Sequence, residues 1–340
     1  GKELLKAACC NLSESFETNP SVDVTYSDAV TGSKQIQLLG LSGNYTQLTV
    51  ENLPGPRGIA TPLGLNSIAG PWIESIQLTK GVGSVANGYE SIAGQINVEL
   101  KKPENSEKLL ANLYVNDFGK TDLNLNLSKK ISKNWSAGLL LHDDFFTNKK
   151  LDFNKDGFLD MPQGAMWIGH NTWKYQGSNG LESQFGFKYA VNNQTGGQTA
   201  AINAAKTDSV WQAFMKTNRF EFWQKTGYVF NNAPYRSVGL QLAFTYHNQI
   251  SDFGLPTVKT YDGIEKTIYA NLIFQDIIKT TNHVYKLGIS YKSQNIDETY
   301  TGDLYLRREQ IPGVFGEYAY LYFEDLSVVG GLRFDYHSQY

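Results

Sequence analysis

The chain has 340 residues and a formal net charge of -3, which leaves no basic footprint for nucleic acid. Hydrophobic residues reach 41% and aromatics 13%, yet no apolar run approaches the roughly 20 residues of a membrane-spanning helix, so a soluble protein and a membrane β-barrel both remain open. Cys9 and Cys10 are adjacent, with Cα atoms about 3.8 Å apart, too close for an unstrained bridge, so no disulfide framework exists.

Residues 1–103 read as a small mixed α/β domain. Leu5, Cys9, Leu12 and Phe16 fall at helical spacing, and Asn19-Pro20 predicts the helix stop. Short apolar segments follow at Ser21–Tyr26, Ile36–Leu39, Leu48–Val50, Ile73–Leu78 and Gln95–Leu100. Gly40, Gly43, Gly81, Gly83, Gly88 and Gly94 are expected at sharp turns, where positive φ costs glycine little. Gly1 leads straight into Lys2-Glu3 without a signal peptide, so an exported protein is expected to start upstream of this segment.

Residues 104–340 have a different texture, a series of about eleven alternating segments, most near ten residues long. Leu123, Leu125 and Leu127 alternate with Asn124 and Asn126, and Leu240, Leu242 and Phe244 alternate with Gln241, Ala243 and Thr245. A slip of one residue would turn the asparagines toward lipid, where unpartnered polar groups are costly, so the register is well determined. Connections alternate in length. Short turns are expected near 132–134, 178–180, 231–235, 280–282 and 324–325, and long loops near 146–165, 192–216, 251–265 and 297–311, with a tight exception at Phe118-Gly119-Lys120. Membrane barrels show that asymmetry, whereas a soluble sandwich has no reason for it. Glu317 is placed inside, which turns Tyr318, Tyr320 and Tyr322 outward.

Within the first region, Gln35–Gly43 resembles the plug strand I-x-I-R-G-L of TonB-dependent outer-membrane receptors, and Val50-Glu51-Asn52-Leu53-Pro54 is similar to their V-D-G-(I/V)-P element. Trp72–Gly81 resembles I-E-R-I-E-V-(V/L)-K-G, and Ser84–Pro103 resembles the G-P-x-S-x-x-Y-G…G-V-I-N-I-x-T-K-K-P run. The resemblance implies a plug domain over 1–103, truncated at its N-terminus, and the first part of a transmembrane barrel over 104–340, about half of some 22 strands. It implies an outer-membrane transporter, not an enzyme, that imports a metal chelate: iron–siderophore, cobalamin, haem or another. The implied partners are the lipid bilayer and TonB, the latter reached through a box expected outside this chain. Leu39 stands where the family usually has Arg, so that arginine's plug–barrel salt bridge does not carry over. A passive or adhesive barrel is the alternative, which the plug motifs disfavour.

Asp152, Asn154, Asp156 and Asp160 place oxygens at positions 1, 3, 5 and 9 around Gly157, the start of a Ca2+ loop, with Gln163 in place of the bidentate Glu. The competing expectation is a polar external loop with Asp-Gly turn chemistry. Cys9 and Cys10 offer soft-metal thiolates or two small packed side chains. No cofactor is required. The resemblance makes Arg57, Asn66 and Trp72, in or beside the apical plug loops, candidate substrate contacts; each could equally serve packing or a turn. His142, His170, His247, His283 and His337 are expected as lumen or girdle residues, and no catalytic constellation stands out.

Overall fold

The computed structural model describes residues 11–16, 22–28, 32–200, 210–254, 259–322 and 326–340. Cys9 and Cys10 lie outside them. A short helix α1 (Leu12–Ser15) precedes an antiparallel pair, β1 (Val22–Asp28) and β2 (Ser33–Leu38). Strands β3 (Thr46–Val50), β4 (Leu53–Pro54), β5 (Ile73–Lys80) and β6 (Gly94–Leu100) form a second sheet in the order β4-β3-β6-β5, with β3 and β6 parallel. Between β4 and β5 lies a one-turn helix α2 (Thr61–Gly64).

The two faces of β6 explain the position of this sheet. Ile96 and Val98 are fully buried against Leu12, Leu38 and Trp72. Gln95 and Asn97 point the other way and are buried too, so they need partners. Thr49 Oγ1 donates to Asn97 Oδ1 at 3.0 Å and Asn87 Nδ2 to Gln95 Oε1 at 3.1 Å. Only part of the turn reading of the glycines holds: φ is positive at Gly40, Gly81 and Gly88, but not at Gly43, Gly83 or Gly94. At Gly94 the requirement is space, since a Cβ there would lie 2.3 Å from Leu38 Cδ2.

A linker leads into eleven antiparallel strands, each paired with the next: β7 (Leu109–Val115), β8 (Lys120–Lys130), β9 (Trp135–Phe146), β10 (Gln163–Gln176), β11 (Leu181–Gly197), β12 (Gln212–Phe230), β13 (Ala233–Phe253), β14 (Lys259–Ile278), β15 (Thr280–Tyr300), β16 (Asp303–Tyr322) and β17 (Leu326–Asp335). Alternation sets the faces as expected. Leu123 and Leu127 are exposed while Asn124 and Asn126 are buried, because successive Cβ atoms point to opposite sides. Aromatic rings gather on the outer face at the end bearing the short turns, including Trp135 against Tyr175 at 5.1 Å and Tyr228 against Phe230 at 5.1 Å. There Tyr318 and Tyr322 are exposed and Glu317 is buried. Such a ring belt suits a membrane interface.

One expectation needs correction. The connections near 251–265 and 297–311 are not long loops: β13 to β14 needs only residues 254–258, and β15 turns into β16 through Thr301-Gly302, both at positive φ. Strands β13 to β16 run to about twice the length a bilayer requires, because ladder pairing continues wherever alternation persists and charged side chains such as Arg307 can hydrate. The inner face carries apolar residues beside its polar ones. Leu140, Met166, Ile168 and Ala190 share one core with Leu12, Phe16, Trp72 and Ile96, so an apolar patch of the wall seats the N-terminal domain. His142, His170 and His247 are buried on this inner face, whereas His283 lies among the outer rings, 2.6 Å from Tyr318 Oη.

Candidate functional site

The N-terminal domain meets the wall through charged contacts at two levels. Near the short-turn end, Glu51 occupies a turn at φ 58 and is 3% exposed. Its carboxylate accepts from Leu100 N at 2.8 Å, from Lys225 Nζ of β12 at 2.8 Å and from Lys102 Nζ. Lys225 also donates to the Glu51 carbonyl at 3.1 Å, and Lys102 pairs with Glu99 at 2.8 Å. Burial pushes the Glu51 carboxyl up, but Lys225 and Lys102 outweigh it and hold it at about 2. Burial opposes the Lys102 charge, yet Glu51 and Glu99 raise its pKa above the ordinary value. One carboxylate thus ties the domain, its linker and the wall together.

Nearer the end bearing the 147–162 connection, a cavity of about 380 Å³ opens between the domain and β15–β16. It is lined by Arg57, Glu90, Lys292, Arg307 and Glu309 among others. Arg57 NH1 and Lys292 Nζ both donate to Glu90 Oε1, at 2.7 and 3.1 Å, and Arg307 lies 3.3 Å from Glu309. Burial works against the Glu90 charge, but Arg57 and Lys292 pull its pKa below the ordinary carboxylate value. Burial, aided by Glu90, pushes the neighbouring Tyr89 phenol up to about 12. Gly58 (φ +59) lets the loop approach β14 closely enough for Ile59 N to donate to Glu265 Oε2 at 3.0 Å. A Cβ on Gly58 would stand 2.3 Å from that oxygen. The Arg57 loop is therefore held by the wall itself.

The residues singled out in the sequence are dispersed. Arg57 lines the cavity. Asn66 is half-buried in the 3-10 turn Leu65–Ser67 and lies outside the cavity lining. Trp72 is 1% exposed and packs against His142 and His170, with centroids 6.2 Å away in each case, so it sits in the domain–wall core. Leu39 is exposed in a turn at φ 55. In the 147–162 connection, side-chain oxygens cap the loop's own backbone: Asp152 Oδ2 accepts from Gly157 N, Asp156 Oδ1 from Phe158 N and Asp160 Oδ2 from Phe153 N. Sequence reading did not single out Glu51, Lys225, Glu90 or Lys292. Glu51 had a signal in its V-E-N-L-P element, but nothing local marks Lys225 or Lys292.

The chain matches the family described as TonB-dependent Receptor Plug Domain over residues 1–95. No curated protein matches it by sequence. Among solved structures it is similar to FpvA of P. aeruginosa bound to a heterologous pyoverdine, with TM-score 0.79 and 13% identity over 99% of this chain and 50% of that one. It is also similar to the ferric yersiniabactin uptake receptor FyuA of Yersinia pestis (TM-score 0.76, 14% identity, 98% of this chain and 55% of that). A third likeness is the ferric-catecholate import receptor Fiu of E. coli K12 (TM-score 0.75, 12% identity, 99% and 55%). The chain thus spans about half the length of the structures it matches. Residues 1–95 are thus a TonB-dependent receptor plug domain, seated against eleven strands in the fold of the receptor structures to which the chain is similar.

Proposed function

We propose that the protein is an outer-membrane receptor that imports a metal complex with energy supplied through TonB. The observation that carries this reading is the seating of the plug. It is held to the wall by a shared apolar core and the Glu51–Lys225 pair, so passage along the wall requires the plug to move. Breaking a buried ion pair costs several kcal/mol, so displacing the plug needs a source of free energy. The cavity at Arg57 is the proposed entry site, and its volume lies in the range of small-molecule sites. The named ligands of the similar structures support a metal chelate as the substrate class.

The test is uptake of labelled ferric and other metal chelates by cells expressing the complete gene, with and without TonB. Uptake should disappear when TonB is deleted. Persistence would overturn the energised reading in favour of a passive or adhesive barrel. Arg57→Ala should weaken binding of the imported chelate by about tenfold, the loss of one charge-assisted hydrogen bond, and unchanged binding would remove Arg57 from the site.

We also propose that the Asp152–Asp160 loop takes Ca2+, supported by Asp152 Oδ1, a buried oxygen without a hydrogen-bond partner. Calorimetry should show calcium heat that Asp156→Ala removes, together with increased protease cleavage of the loop. No heat in the parent protein, with cleavage unchanged in the variant, would count against it.

A further inference from the structure

The structure assigns a divalent transition-metal site to Asp122, His142 and Asp144 on the inner face of β8 and β9. The hairpin register sets Asp122 opposite Asp144 and Asn124 opposite His142, so four polar side chains occupy two adjacent rungs of one face. Asp143, between the two β9 members, points to the other face by alternation. Among the described residues these three form the one group of His, Cys or carboxylate side chains whose ligand atoms lie within 4.8 Å of one another.

Burial and spacing distinguish this group from a solvated cluster. Asp122 is 1% exposed and His142 2%. His142 Nδ1 lies 3.6 Å from Asp122 Oδ1. Two ligand atoms each about 2.1 Å from a tetrahedral ion stand about 3.4 Å apart, so this pair needs little movement and Asp144 has to close in from within 4.8 Å. Asn124 braces the pair: its Nδ2 donates to Asp122 Oδ1 at 2.6 Å, and its Oδ1 lies 2.9 Å from His142 Nδ1 and can turn to the ion as a fourth donor. Lys120 Nζ, 2.7 Å from Asp144 Oδ2, is the cation paired with Asp144.

The proton bookkeeping is consistent with ligation. Coordination through Nδ1 needs the imidazole neutral with its proton on Nε2. Nε2 is buried and has no hydrogen-bond partner, so a proton placed there displaces no other contact at that atom, while Nδ1 exchanges its hydrogen bond to Asn124 Oδ1 for the ion. One nitrogen with two or three oxygens suits Zn2+ or a similar borderline ion, whereas Ca2+ seeks six to eight oxygens. The His142 ring also stands edge-on to Trp72 of the plug, centroids 6.2 Å apart at 82°, which places the ion one ring away from the plug. The inference rests on the β8–β9 register and not on the import reading.

The test uses the protein purified from outer membranes after chelation, titrated calorimetrically with Zn2+ alone and separately with Ca2+. One equivalent of Zn2+ per chain is expected. Asp122→Asn and His142→Gln should each weaken it at least about tenfold, while Asp156→Ala leaves it unchanged. Asp122→Asn is nearly isosteric, so it stays informative where His142→Gln fails to fold. Absence of stoichiometric Zn2+ in the parent protein, equal binding in the folded variants, or Ca2+ competing equally at these residues would each overturn the assignment.

Discussion

Replacing Glu51 by Ala is expected to loosen the plug by about 3–5 kcal/mol, the usual cost of breaking a buried ion pair. The carboxylate accepts from two lysines and a backbone amide, and its removal leaves the Leu100 N–H buried and two ammonium groups facing each other. Hydrogen exchange of β3 and β6 should accelerate accordingly, while exchange in β15 and β16, which do not pair with the Lys225 strand, stays unchanged. Lys225→Ala should do less, because Lys102 still neutralises Glu51. A double variant should then fall short of the sum of the two singles, since both remove the same contact. Full additivity would mean that Glu51 and Lys225 do not act together.

The same contact predicts a pH dependence. The Glu51 carboxyl titrates at about 2 in the folded protein against an ordinary 4.5. Its folded pKa is depressed, so its contribution is complete above pH 4.5 and is lost as pH falls through that window toward 2. The loss is on the order of 3 kcal/mol. Lys102 is shifted upward, so its share is complete below its ordinary 10.5 and disappears only as pH rises beyond that. Plug protection should therefore be level through the neutral range and fall on acidification. Glu51→Gln should reduce the acid limb, leaving the share of Glu90, whose pKa is also lowered; an identical limb in that variant would assign it to other carboxylates.

The second large effect concerns closure. Strands β7 and β17 each pair on one side only among the described residues, and ten antiparallel steps separate them, so they run in the same direction. Closing the sheet by joining them would demand a parallel pair in an otherwise antiparallel barrel, with an odd strand number unusual for single-chain bacterial barrels. Leaving both edges open in hydrocarbon costs several kcal/mol for each unpaired backbone group. The 340-residue chain folded alone in detergent is therefore expected to show no heat-resistant monomeric band. It should associate through its edges instead. A heat-resistant monomer would show that the edges meet despite their direction.

The faces of the strands were determined by the sequence alone. Once Leu123 and Leu127 alternate with Asn124 and Asn126, pleat geometry sends one set outward and the other inward, and the observed burial follows. The plug was equally legible, because the order and spacing of its short motifs are local properties of the chain. Strand lengths were not. Alternation in β13 to β16 continues into segments that composition marks as loops, and only pairing with a neighbour shows where a ladder stops. The apolar seat at Leu140 and Ile168 was hidden for a related reason, since leucines on both faces of β9 do not reveal what covers the inner one. The site was the least legible part. Glu51 meets Lys225 across 174 residues and Glu90 meets Lys292 across 202, and no local pattern encodes such pairs. They exist because the plug packs against the wall in one register, and a buried carboxylate retains its charge only where that packing brings it a cation.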